Sequence, residues 1–502
     1  MAASQSAIRN PQSAIYDVAV IGAGVVGCAI ARELARYRVN CVLIDAASDV
    51  GTGTSKANTA LLHTGFDAKP GSLEARLVRR GYELLRSYGA EAGIPIEPIG
   101  ALLVAWDAEQ LAALPSIADS AARNGYTGTR EMSADELYRA EPHLGPGAMG
   151  ALEVPHESII CPFTTPLAFA TQAFVNGVEL LLNSPVQTIA AADEGVHVLG
   201  TPQGELRARY VVNAAGLHAD VIDRQLGHAT FTVTPRRGEL IVFDKLARPL
   251  LNHILLQVPT KVSKGVLVSP TVFGNVMVGP TAEDIPDKTA TGSTAAGIAG
   301  LYERGRRIMP ALMAEEVTAV YVGLRAATEH SDYQINFYPA QRYVCVGGIR
   351  STGLSASMAI AEHVVQGLAD AGLMVETKSD FRSVRMPNLG EAFPRPYQSA
   401  AAIAANADYG RIVCHCERAT RGEILDALRA PIPARTLDGV RRRTRALFGR
   451  CQGFFCAAAV MHLVAEATGQ KVTALLGLED ASGNSDISER GFPLLGQGEG
   501  MK

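Results

Sequence analysis

The chain has 502 residues and a formal net charge of −4; 47% of its residues are apolar and 19% are charged. At about 150 residues per domain, this length predicts about three domains with ample apolar material for a core. The composition excludes a disordered or collagen-like protein. The near-neutral charge gives no electrostatic reason to expect binding to nucleic acid or to an anionic membrane surface.

The N-terminal segment and the cysteines bear on the compartment. Residues 1–15 contain no apolar h-region, so we predict a disordered extension rather than a secretory signal. The apolar run from Val18 to Ala31 is too short to span a bilayer. Eight cysteines in so long a chain make no dense disulfide framework, and four of them cluster late. We therefore expect a cytoplasmic protein whose clustered cysteines bind metal.

Hydrophobic periodicity predicts the elements in chain order. A strand at 16–21, a helix at 24–36 and a strand at 40–44 form a βαβ beginning, which is typical of a parallel sheet covered by helices. The antiparallel pattern within 231–285 is interpreted as a layer that covers the substrate. The other predicted elements are helices at 107–123, 292–310 and 355–371, strands at 179–182 and 210–213, a linker or wrapping segment at 376–408, and a compact helical region at 409–470.

A glycine-rich turn joins the first predicted strand to the first helix. Gly22, Gly24 and Gly27 form G-x-G-x-x-G, which allows a tight turn, a close approach of backbone to a pyrophosphate, and helix–strand packing. Asp45 ends the second strand, where a carboxylate would bond the ribose hydroxyls of adenosine and would repel a 2′-phosphate. The motif predicts a dinucleotide other than NADP, and by itself it leaves NAD and FAD open.

Three further stretches of small residues, 54–65, 211–216 and 347–354, accompany this motif. With them the chain resembles the D-amino-acid-oxidase superfamily of FAD enzymes. More narrowly, it is similar to the FAD-dependent glycerol-3-phosphate dehydrogenases and the related L-2-hydroxyglutarate dehydrogenases. The more specific matching motifs are His63-Thr64-Gly65, Pro70-Gly71-Ser72-Leu73, Gly265-Val266-Leu267-Val268, Gly279-Pro280-Thr281 and Gly323-Leu324-Arg325.

The resemblance implies FAD as cofactor. Thr54 and Ser55 would lie along the diphosphate, residues 58–62 beside the isoalloxazine, and the backbone of Val186 against adenine. The turn at Gly353 would aim a helix N-terminus at the flavin, whose reduced form carries negative charge. The expected FAD contacts are Gly22, Ala23, Gly24, Val25, Val26, Gly27, Asp45, Ala46, Thr54, Ser55, Asn58, Thr59, Ala60, Leu62, Val186, Ala214, Ala215, Gly216, Gly348, Ile349, Arg350, Gly353 and Leu354.

Four late cysteines, Cys414, Cys416, Cys451 and Cys456, occur in two short motifs. Four thiolates from two loops can enclose a [2Fe–2S] cluster or a tetrahedral zinc ion. The C-x-C and C-x₄-C spacings are unusual for zinc, so we favour the iron–sulfur cluster. Residues 412–469 resemble the bacterioferritin-associated-ferredoxin-type [2Fe–2S] domain, which occurs at the C-terminus of the large subunit of anaerobic glycerol-3-phosphate dehydrogenases.

A dense basic run, Arg441–Arg443 with Arg445, lies between these two motifs. We interpret it as a solvated helix face that supports the negative charge of the cluster, and binding to an acidic partner is the alternative. The remaining cysteines, at positions 28, 41, 161 and 345, lie in apolar contexts and are predicted to be core residues.

Arginine and histidine residues provide the candidates for substrate chemistry. Arg325 matches a family segment whose arginine anchors the substrate, and a guanidinium can bond two oxygens of a carboxylate or phosphate at once. A plain surface ion pair is the structural alternative for Arg325. Further substrate-binding candidates are Arg350, Lys264 and Tyr333.

His63 matches the family histidine near the flavin, and His253 is the alternative base. His63 could accept a proton, form a hydrogen bond that tunes the flavin, carry a covalent flavin or only pack in the core. The predicted catalytic residues are therefore His63, Arg325 and His253. The chain departs from the aerobic dehydrogenases at Phe66 and Asp67, near which that family has an arginine and an aromatic residue, so phosphate recognition stays open.

These features predict an FAD-dependent dehydrogenase for a small anionic secondary alcohol, with sn-glycerol 3-phosphate as the first candidate. Electrons would leave through the cluster to a quinone or to a partner electron-transfer subunit, with membrane contact only through a partner. The alternatives are an L-2-hydroxy acid such as L-2-hydroxyglutarate as substrate, an amine or opine oxidase, and a non-catalytic electron-transfer or iron-handling subunit. The complete flavin motifs and Arg325 argue against the last.

We expect an α/β fold in which a Rossmann-like FAD-binding domain, an antiparallel-sheet substrate domain and a small helical C-terminal iron–sulfur domain are combined. The predicted boundaries are a disordered extension at 1–15, a discontinuous FAD-binding domain at 16–100, 150–230 and 331–375, a substrate domain at 101–149 and 231–330, a linker at 376–408, a [2Fe–2S] domain at 409–475 and a flexible tail at 476–502.

Overall fold

The computed structural model describes residues 15–191, 195–259 and 265–475. The chain divides into two compact units, Met1–Arg395 and Pro396–Lys502. Within the described ranges, no helix is both long enough and apolar enough to cross a bilayer. The predicted N-terminal extension, except its last residue, lies outside the described residues, as do Lys264 and the predicted tail at 476–502.

Strands and helices alternate through the first unit, whereas helices predominate in the second. The strands are β1 (Ile15–Ile21), β2 (Cys41–Ile44), β3 (Leu61–Leu62), β4 (Ile96–Glu97), β5 (Ala101–Ala105), β6 (Arg130–Ser133), β7 (Gly150–Val154), β8 (Ser158–Ile160), β9 (Glu179–Leu181), β10 (Thr188–Ala191), β11 (His197–Thr201), β12 (Gly204–Asn213), β13 (Thr234–Phe243), β14 (Ile254–Gln257), β15 (Leu267–Pro270), β16 (Val276–Gly279), β17 (Glu283–Asp284), β18 (Val317–Ala327), β19 (Gln334–Tyr338), β20 (Tyr343–Gly347), β21 (Ile412–Cys414) and β22 (Ala419–Thr420). The helices are α1 (Val25–Leu34), α2 (Leu73–Ala92), α3 (Ala108–Arg123), α4 (Ala134–Ala140), α5 (Thr164–Val175), α6 (Ala219–Gln225), α7 (Ala295–Ile308), α8 (Gly353–Asp370), α9 (Ala400–Ala405), α10 (Arg421–Arg429), α11 (Leu437–Thr444), α12 (Ala457–Thr468) and α13 (Val472–Leu475).

An eight-stranded sheet forms the centre of the first unit. Its order is β10-β11-β12-β1-β2-β9, with β20 beside β12 and β19 beside β20. The strands β9, β2, β1, β12 and β20 run parallel to their neighbours in this set. All four residues of β2 are buried, as expected for a parallel strand that is covered on both faces. The predicted βαβ beginning is therefore confirmed, with α1 packed against α5 and α8.

A nine-stranded sheet covers the region predicted to be antiparallel. Its order is β17-β13-β16-β15-β14-β5-β7-β6, with β18 beside β13. A long antiparallel ladder joins β13 to β18, whereas β14 and β5 are parallel. Strand β7 belongs to this sheet, although the predicted boundary at residue 150 assigns it to the FAD-binding domain. The pairing of β7 with β5 and β6 moves that boundary beyond Val154.

A small three-stranded sheet, β3-β8-β4, links segments that are distant in sequence. Leu61 and Leu62 of β3 pair with Ile159 and Ser158 of β8. Because the residue after β3 is His63 and the residue before β8 is Glu157, this pairing brings the two side chains to the same place.

The predicted linker at 376–408 has two different parts. Residues up to Arg395 belong to the first unit and wrap it: Thr377 forms a bridge with Tyr37, and the N–H of Glu391 donates to the carbonyl of Val272 at 2.9 Å. From Pro396 onward the chain belongs to the second unit, where α9 follows. That unit has its own apolar core, which includes Ile424, Val440, Val460, Leu463 and Val464.

Candidate functional site

The glycine-rich turn places the N-terminus of α1 at the edge of the eight-stranded sheet. Gly22 has a φ of +103°, and a Cβ there would overlap the carbonyl group of Ala214. A Cβ on Gly27 would overlap the carbonyl oxygen of Gly22. Only glycine therefore fits at these two positions. A Cβ on Gly24, in contrast, would meet a single neighbour, the Ser55 hydroxyl at 3.3 Å, so the space beside Gly24 is open.

The first turn of α1 is suited to an anion. Gly24 is its N-cap, and the turn contains no acidic residue. The N–H of Val25 donates to Ser55 Oγ at 2.9 Å, which holds the 54–58 segment against the helix start. Backbone N–H groups and the positive end of the helix dipole favour a phosphate at such a position. The open space beside Gly24 and a first turn without an acidic residue fit the diphosphate of a dinucleotide.

Asp45 lies at the end of β2, next to the same turn. Its carboxylate accepts the N–H of Ala23 at 2.5 Å and the N–H of Ala47 at 2.7 Å. Burial raises the pKa of Asp45, and the N–H groups of Ala47 and Ala23 act in the opposite direction. The N–H of Ser184 donates to the Asp45 carbonyl, which brings the loop that carries Val186 to this end of the site. This arrangement suits recognition of ribose and adenine.

The other stretches singled out from the sequence converge on the same turn. Ala214 donates its N–H to the carbonyl of Ile21 at 2.8 Å. A Cβ on Gly353, at the start of α8, would lie 3.8 Å from Val26 Cγ2. The Thr54 hydroxyl donates to the carbonyl of Leu324 in β18 at 2.7 Å. The predicted FAD-binding segments are thus brought together, and their individual contacts with FAD stay predictions.

The segment after Ser55 is held in an unusual backbone conformation. Ala60 has a φ of +54°, and its N–H donates to Asn58 Oδ1 at 2.8 Å. Asn58 Nδ2 donates to the Ser55 carbonyl at 2.8 Å, and Tyr321 of β18 donates its hydroxyl to the Asn58 carbonyl at 2.7 Å. Leu62 is fully buried, backbone and side chain alike.

His63 and Glu157 form a histidine–carboxylate pair beside this segment. His63 Nδ1 lies 3.1 Å from Glu157 Oε2; the Glu157 side chain is fully buried, and 20% of the His63 side chain is exposed. Glu157 Oε1 accepts the N–H and the hydroxyl of Thr64 at 2.7 and 2.8 Å. The N–H of His63 donates to Ser355 Oγ at 2.8 Å, which ties it to α8. A carboxylate held in this way orients an imidazole and stabilises its protonated form.

Arg325 lies on β18, opposite Arg236 of β13. Its guanidinium donates to the Thr281 carbonyl at 2.5 Å, and the absence of a side chain at Gly238 leaves room for it. Arg236 pairs with Asp284, whereas no carboxylate of the described residues pairs with Arg325. Burial, with a contribution from Arg236, lowers the pKa of Arg325 to about 10, so the side chain stays charged at neutral pH. This is the electrostatic character of an anion site.

Arg350 and Tyr333 belong to a network around Glu74. Arg350 donates to Glu74 Oε2 at 2.8 Å and to the Ser331 carbonyl at 2.6 Å. The Thr352 hydroxyl donates to Glu74 Oε1 at 2.6 Å and bonds the hydroxyl of the buried Tyr333 at 2.6 Å. These contacts hold the turn before α8. Arg350 and Tyr333 thus have partners within the protein, and their predicted substrate-binding roles stay predictions.

His253 has a different carboxylate partner. Its Nδ1 lies 2.7 Å from Glu141 Oε1, and its N–H donates to the same oxygen at 2.6 Å. The N–H of Asn252 also donates to Glu141, whose side chain is fully buried. Glu141 thereby fastens the loop before β14 to the end of α4. His63 is preferred as the candidate base because its N–H donates to Ser355 Oγ at the start of α8, beside the predicted FAD-binding segments, whereas His253 lies on the loop before β14.

The four late cysteines form two contacting pairs. The thiol of Cys416 interacts with that of Cys451, and the thiol of Cys414 interacts with that of Cys456. The N–H groups of Phe455, Gly453 and Phe454 face the Cys451 sulfur and lower the pKa of its thiol. Two pairs of cysteines fit a [2Fe–2S] cluster, in which four cysteine thiolates hold the two irons. Within the described ranges, no group of three or more His, Cys, Asp or Glu side chains is placed to hold a single metal ion.

The basic run near these cysteines is not the solvated face predicted from the sequence. Arg442, Arg443 and Arg445 are only 6–7% exposed. Arg445 Nε donates to the buried Glu417 carboxylate at 3.2 Å, and Arg443 donates to the carbonyls of Gly439 and Ile432 at 3.2 Å. The prediction is wrong because these arginines satisfy buried acceptors inside the unit and join its helices to the loop that contains Cys416.

The sequence profile of the family "FAD dependent oxidoreductase" matches residues 17–366. The chain belongs to this family. Residues 412–466 of the FAD-dependent oxidoreductase also match the profile "BFD-like [2Fe-2S] binding domain". FAD and a [2Fe–2S] cluster are its cofactors, and the predictions of both, of the fold class and of an enzyme are confirmed. The comparison also decides between the NAD and FAD that the glycine motif alone left open.

Three relatives show which kinds of FAD enzyme this oxidoreductase is similar to. The glycerol 3-phosphate dehydrogenase of Caloramator mitchellensis is 36% identical over 467 residues, which cover 92% of this chain and 96% of that protein. The solved L-alpha-glycerophosphate oxidase from Mycoplasma pneumoniae with FAD bound is 28% identical with a TM-score of 0.71, and the match covers 75% of this chain and 100% of that one. The mitochondrial L-2-hydroxyglutarate dehydrogenase of Arabidopsis thaliana is 28% identical over 69% of this chain and 82% of that protein.

Sequence reasoning missed several residues that shape the site of the oxidoreductase. Glu157 carried a detectable signal, since it is a lone acidic residue next to the apolar run Ile159–Cys161, and such a residue is buried only with partners. Gly238 directly follows two arginines, but nothing local indicates that it leaves space for Arg325. Glu74 lies on an ordinary amphipathic helix, and its sequence context gives no sign of its partners.

Proposed function

We propose that this enzyme oxidises sn-glycerol 3-phosphate to dihydroxyacetone phosphate and that its electrons leave through the [2Fe–2S] cluster. Identity of 36% with a glycerol 3-phosphate dehydrogenase along nearly the whole chain supports the substrate. The main structural support for an anionic substrate is Arg325. Its guanidinium is largely buried, and no carboxylate of the described residues pairs with it. A phosphate would provide the counter-charge and accept two N–H bonds from one face of that group.

Different residues of the first unit have different roles in the reaction. Oxidation of the secondary alcohol removes a proton from oxygen and a hydride from carbon. His63 takes the proton at Nε2, because Nδ1 faces Glu157, and the Glu157 carboxylate stabilises the imidazolium that forms. Arg325 holds the phosphate and so orients the carbinol carbon. Bound FAD would supply the acceptor for the hydride, with its diphosphate held at the turn that contains Gly24.

The cysteine residues of the second unit serve electron exit. Cys414, Cys416, Cys451 and Cys456 would hold the cluster, which supplies one-electron transfer. Support comes from the match of residues 412–466 to a [2Fe–2S] binding domain and from the two cysteine pairs.

A substrate panel tests the proposal. Full-length enzyme is mixed anaerobically with glycerol 3-phosphate, L-2-hydroxyglutarate, sarcosine or uncharged glycerol, and bleaching of the flavin absorbance is followed. We expect fast bleaching with glycerol 3-phosphate alone, followed by reduction of the cluster. Faster bleaching with L-2-hydroxyglutarate would favour the second candidate, which the similarity to the Arabidopsis thaliana enzyme supports. Bleaching by sarcosine would indicate amine oxidation and contradict the proposal.

The variant Cys451→Ser tests the exit route. The protein should lose iron and acid-labile sulfide, while glycerol 3-phosphate still bleaches its flavin and turnover with a one-electron acceptor falls. Cys161→Ser is the matched control, because Cys161 is a buried cysteine of the first unit, and it should keep the iron. Zinc in place of iron in the unmodified enzyme would contradict the exit route.

A further inference from the structure

An exposed aromatic pair lies on the loop between Cys451 and Cys456. Phe454 is 85% exposed and Phe455 is 75% exposed. Their rings pack edge to face with centroids 5.2 Å apart, and neither belongs to the apolar core of the second unit. Exposed apolar side chains of this size are unfavourable in water and mark interaction sites. Their backbone N–H groups face the Cys451 sulfur, so the rings are part of the loop that would enclose the cluster.

The surroundings of this pair are basic. The exposed charged side chains in the two cysteine loops are Arg411, Arg418 and Arg450, with His415 also exposed, and the acidic Glu417 is buried against Arg445. Gly449 packs against Cys416, which joins the two loops into one surface. Between residues 396 and 475 there are eleven Lys and Arg against six Asp and Glu, a net charge of +5, while the whole chain carries −4.

We propose that this surface, the cluster face (Arg411, His415, Arg418, Arg450, Phe454 and Phe455), docks an acidic protein that accepts single electrons. The inference rests on the proposed exit route and names its partner class. Aromatic side chains at the centre with charged residues at the rim form a small protein interface, and opposite charge speeds the encounter. A lipid surface is disfavoured, because the large aliphatic residues of α12, Val460, Leu463 and Val464, are buried in the unit's own core and are not available to a bilayer.

Electron balance defines the assay. Each substrate molecule releases two electrons, and each reduced cluster passes one electron to one ferric ion, so two acceptor proteins are reduced per substrate. The probes are oxidised rubredoxin as a small acidic acceptor, cytochrome c as a basic acceptor, and ferricyanide as a small-molecule acceptor. With the unmodified holoenzyme, we expect faster reduction of rubredoxin than of cytochrome c at low ionic strength, and a rubredoxin rate that falls with added salt.

The double variant Phe454→Ser/Phe455→Ser tests whether the two rings contribute to docking of the acceptor protein. We expect rubredoxin reduction, expressed per bound cluster, to slow by about tenfold or more relative to ferricyanide reduction by the same protein, because serine keeps the backbone N–H groups and removes only the aromatic rings. Phe174→Ser is the control, since Phe174 is a 43% exposed phenylalanine of the first unit, and it should leave rubredoxin reduction unchanged. Arg411→Glu should slow rubredoxin and speed cytochrome c.

Each contrary result has a distinct meaning. Unchanged rubredoxin reduction in the double variant, or a preference of the unmodified enzyme for cytochrome c, would overturn the docking site while the exit route stands. Sedimentation of the unmodified enzyme with phosphatidylserine vesicles that is lost in the double variant would replace the protein partner with a lipid surface. A cluster that substrate cannot reduce in the unmodified enzyme would contradict the exit route itself.

Discussion

Buried carboxylates decide which basic side chains of the first unit are available for chemistry. Glu74 binds Arg350, and Glu141 binds His253. Glu157 likewise pairs with His63, but the N–H of His63 donates to Ser355 Oγ in the first turn of α8, beside the predicted flavin-binding segments. Arg325 has no carboxylate partner among the described residues. The neighbouring acids and the position in the fold together distinguish residues that looked equivalent in the sequence, and they favour His63 and Arg325 for catalysis.

The variant Glu157→Gln tests the histidine–carboxylate pair. The amide keeps a hydrogen-bonding side chain for Thr64 but carries no charge to stabilise the His63 imidazolium, so we expect the limiting rate of flavin bleaching to fall by about tenfold or more. Stopped-flow measurement under anaerobic conditions gives this rate, and the substrate concentration at half-saturation should hardly move. Glu153→Gln is the control, since Glu153 is a partly buried acid that pairs with Arg130 instead of a histidine. A loss confined to substrate affinity would assign Glu157 to binding instead.

The variant Arg325→Lys tests the anion site. An ammonium group cannot reproduce the two-bond fork of a guanidinium, and a lost charge-assisted hydrogen bond costs about 1.5–3 kcal/mol. The KM for glycerol 3-phosphate should rise about 10- to 150-fold, with FAD content unchanged. Because the pKa of Arg325 is lowered to about 10, the KM of the unmodified enzyme should also rise as the pH passes 10 and the positive charge is lost. Arg130→Lys, on β6, should behave like the unmodified enzyme, and an unchanged KM in Arg325→Lys would return Arg325 to a structural role.

Substitutions at Gly24 and Gly27 should have different effects, the first on FAD binding and the second on folding. The side chain of Gly24→Val would enter the open space beside α1, so we expect a folded protein that lacks FAD. The Cβ of Gly27→Ala would overlap the Gly22 carbonyl oxygen, so we expect loss of folded protein. FAD released by acid and the circular dichroism spectrum distinguish the two outcomes. A yellow Gly24→Val protein would show that the diphosphate lies elsewhere.

At the scale of elements, close packing of α2 against α8 supports the site. A Cβ on Gly81 of α2 would overlap the Ser355 carbonyl in the first turn of α8. Ser355 Oγ in turn accepts the N–H of His63, and Glu74 of α2 holds Thr352 at the N-cap of α8. Helix α2 therefore positions the start of α8. By resemblance, α8 is the helix whose N-terminus would face the flavin.

The variant Gly81→Val should disturb this crossing. Its side chain forces α8 away from α2, and overpacking of this kind typically costs about 1–3 kcal/mol. We expect a lower melting temperature and weaker retention of FAD, measured by thermal unfolding and by dialysis against FAD-free buffer. Gly292→Ala, at a position with no neighbour within 4 Å of the added Cβ, should leave both unchanged. A normal melting temperature in Gly81→Val would show that the helices can separate without cost.

At the scale of the whole molecule, the two units have separate cores. The first contains both large sheets, and the second packs its own apolar residues around the cysteine loops. The match to the FAD-dependent oxidoreductase family lies within the first unit, and the match to the [2Fe–2S] binding domain lies within the second.

A chain ended after Arg395 tests this independence. It should bind FAD, contain no iron, and still bleach with glycerol 3-phosphate, while its transfer to a one-electron protein acceptor is lost. Spectroscopy of the purified fragment and stopped-flow bleaching are the measurements. A fragment that folds but does not bleach would show that the second unit contributes to the active site.

The sequence by itself determined the parts whose signals are local. The G-x-G-x-x-G turn, the acid after β2, the antiparallel region and the paired cysteine motifs depend on short-range spacing, because backbone geometry and ligand chemistry restrict which residues occur there. The resemblance of these motifs to known families then predicted FAD and the iron–sulfur cluster as cofactors and His63 and Arg325 as site residues.

Tertiary structure alone decided which charged side chains are engaged. Glu157 meets His63 because β3 pairs with β8, although 94 residues separate the two positions. Arg443 and Arg445 are buried rather than solvated because the Ile432 carbonyl and the Glu417 carboxylate, which belong to other segments, accept their N–H groups. A carboxylate and its partner across a sheet leave no periodic trace in the sequence, since the free energy that places them comes from packing of strands brought together only by the fold.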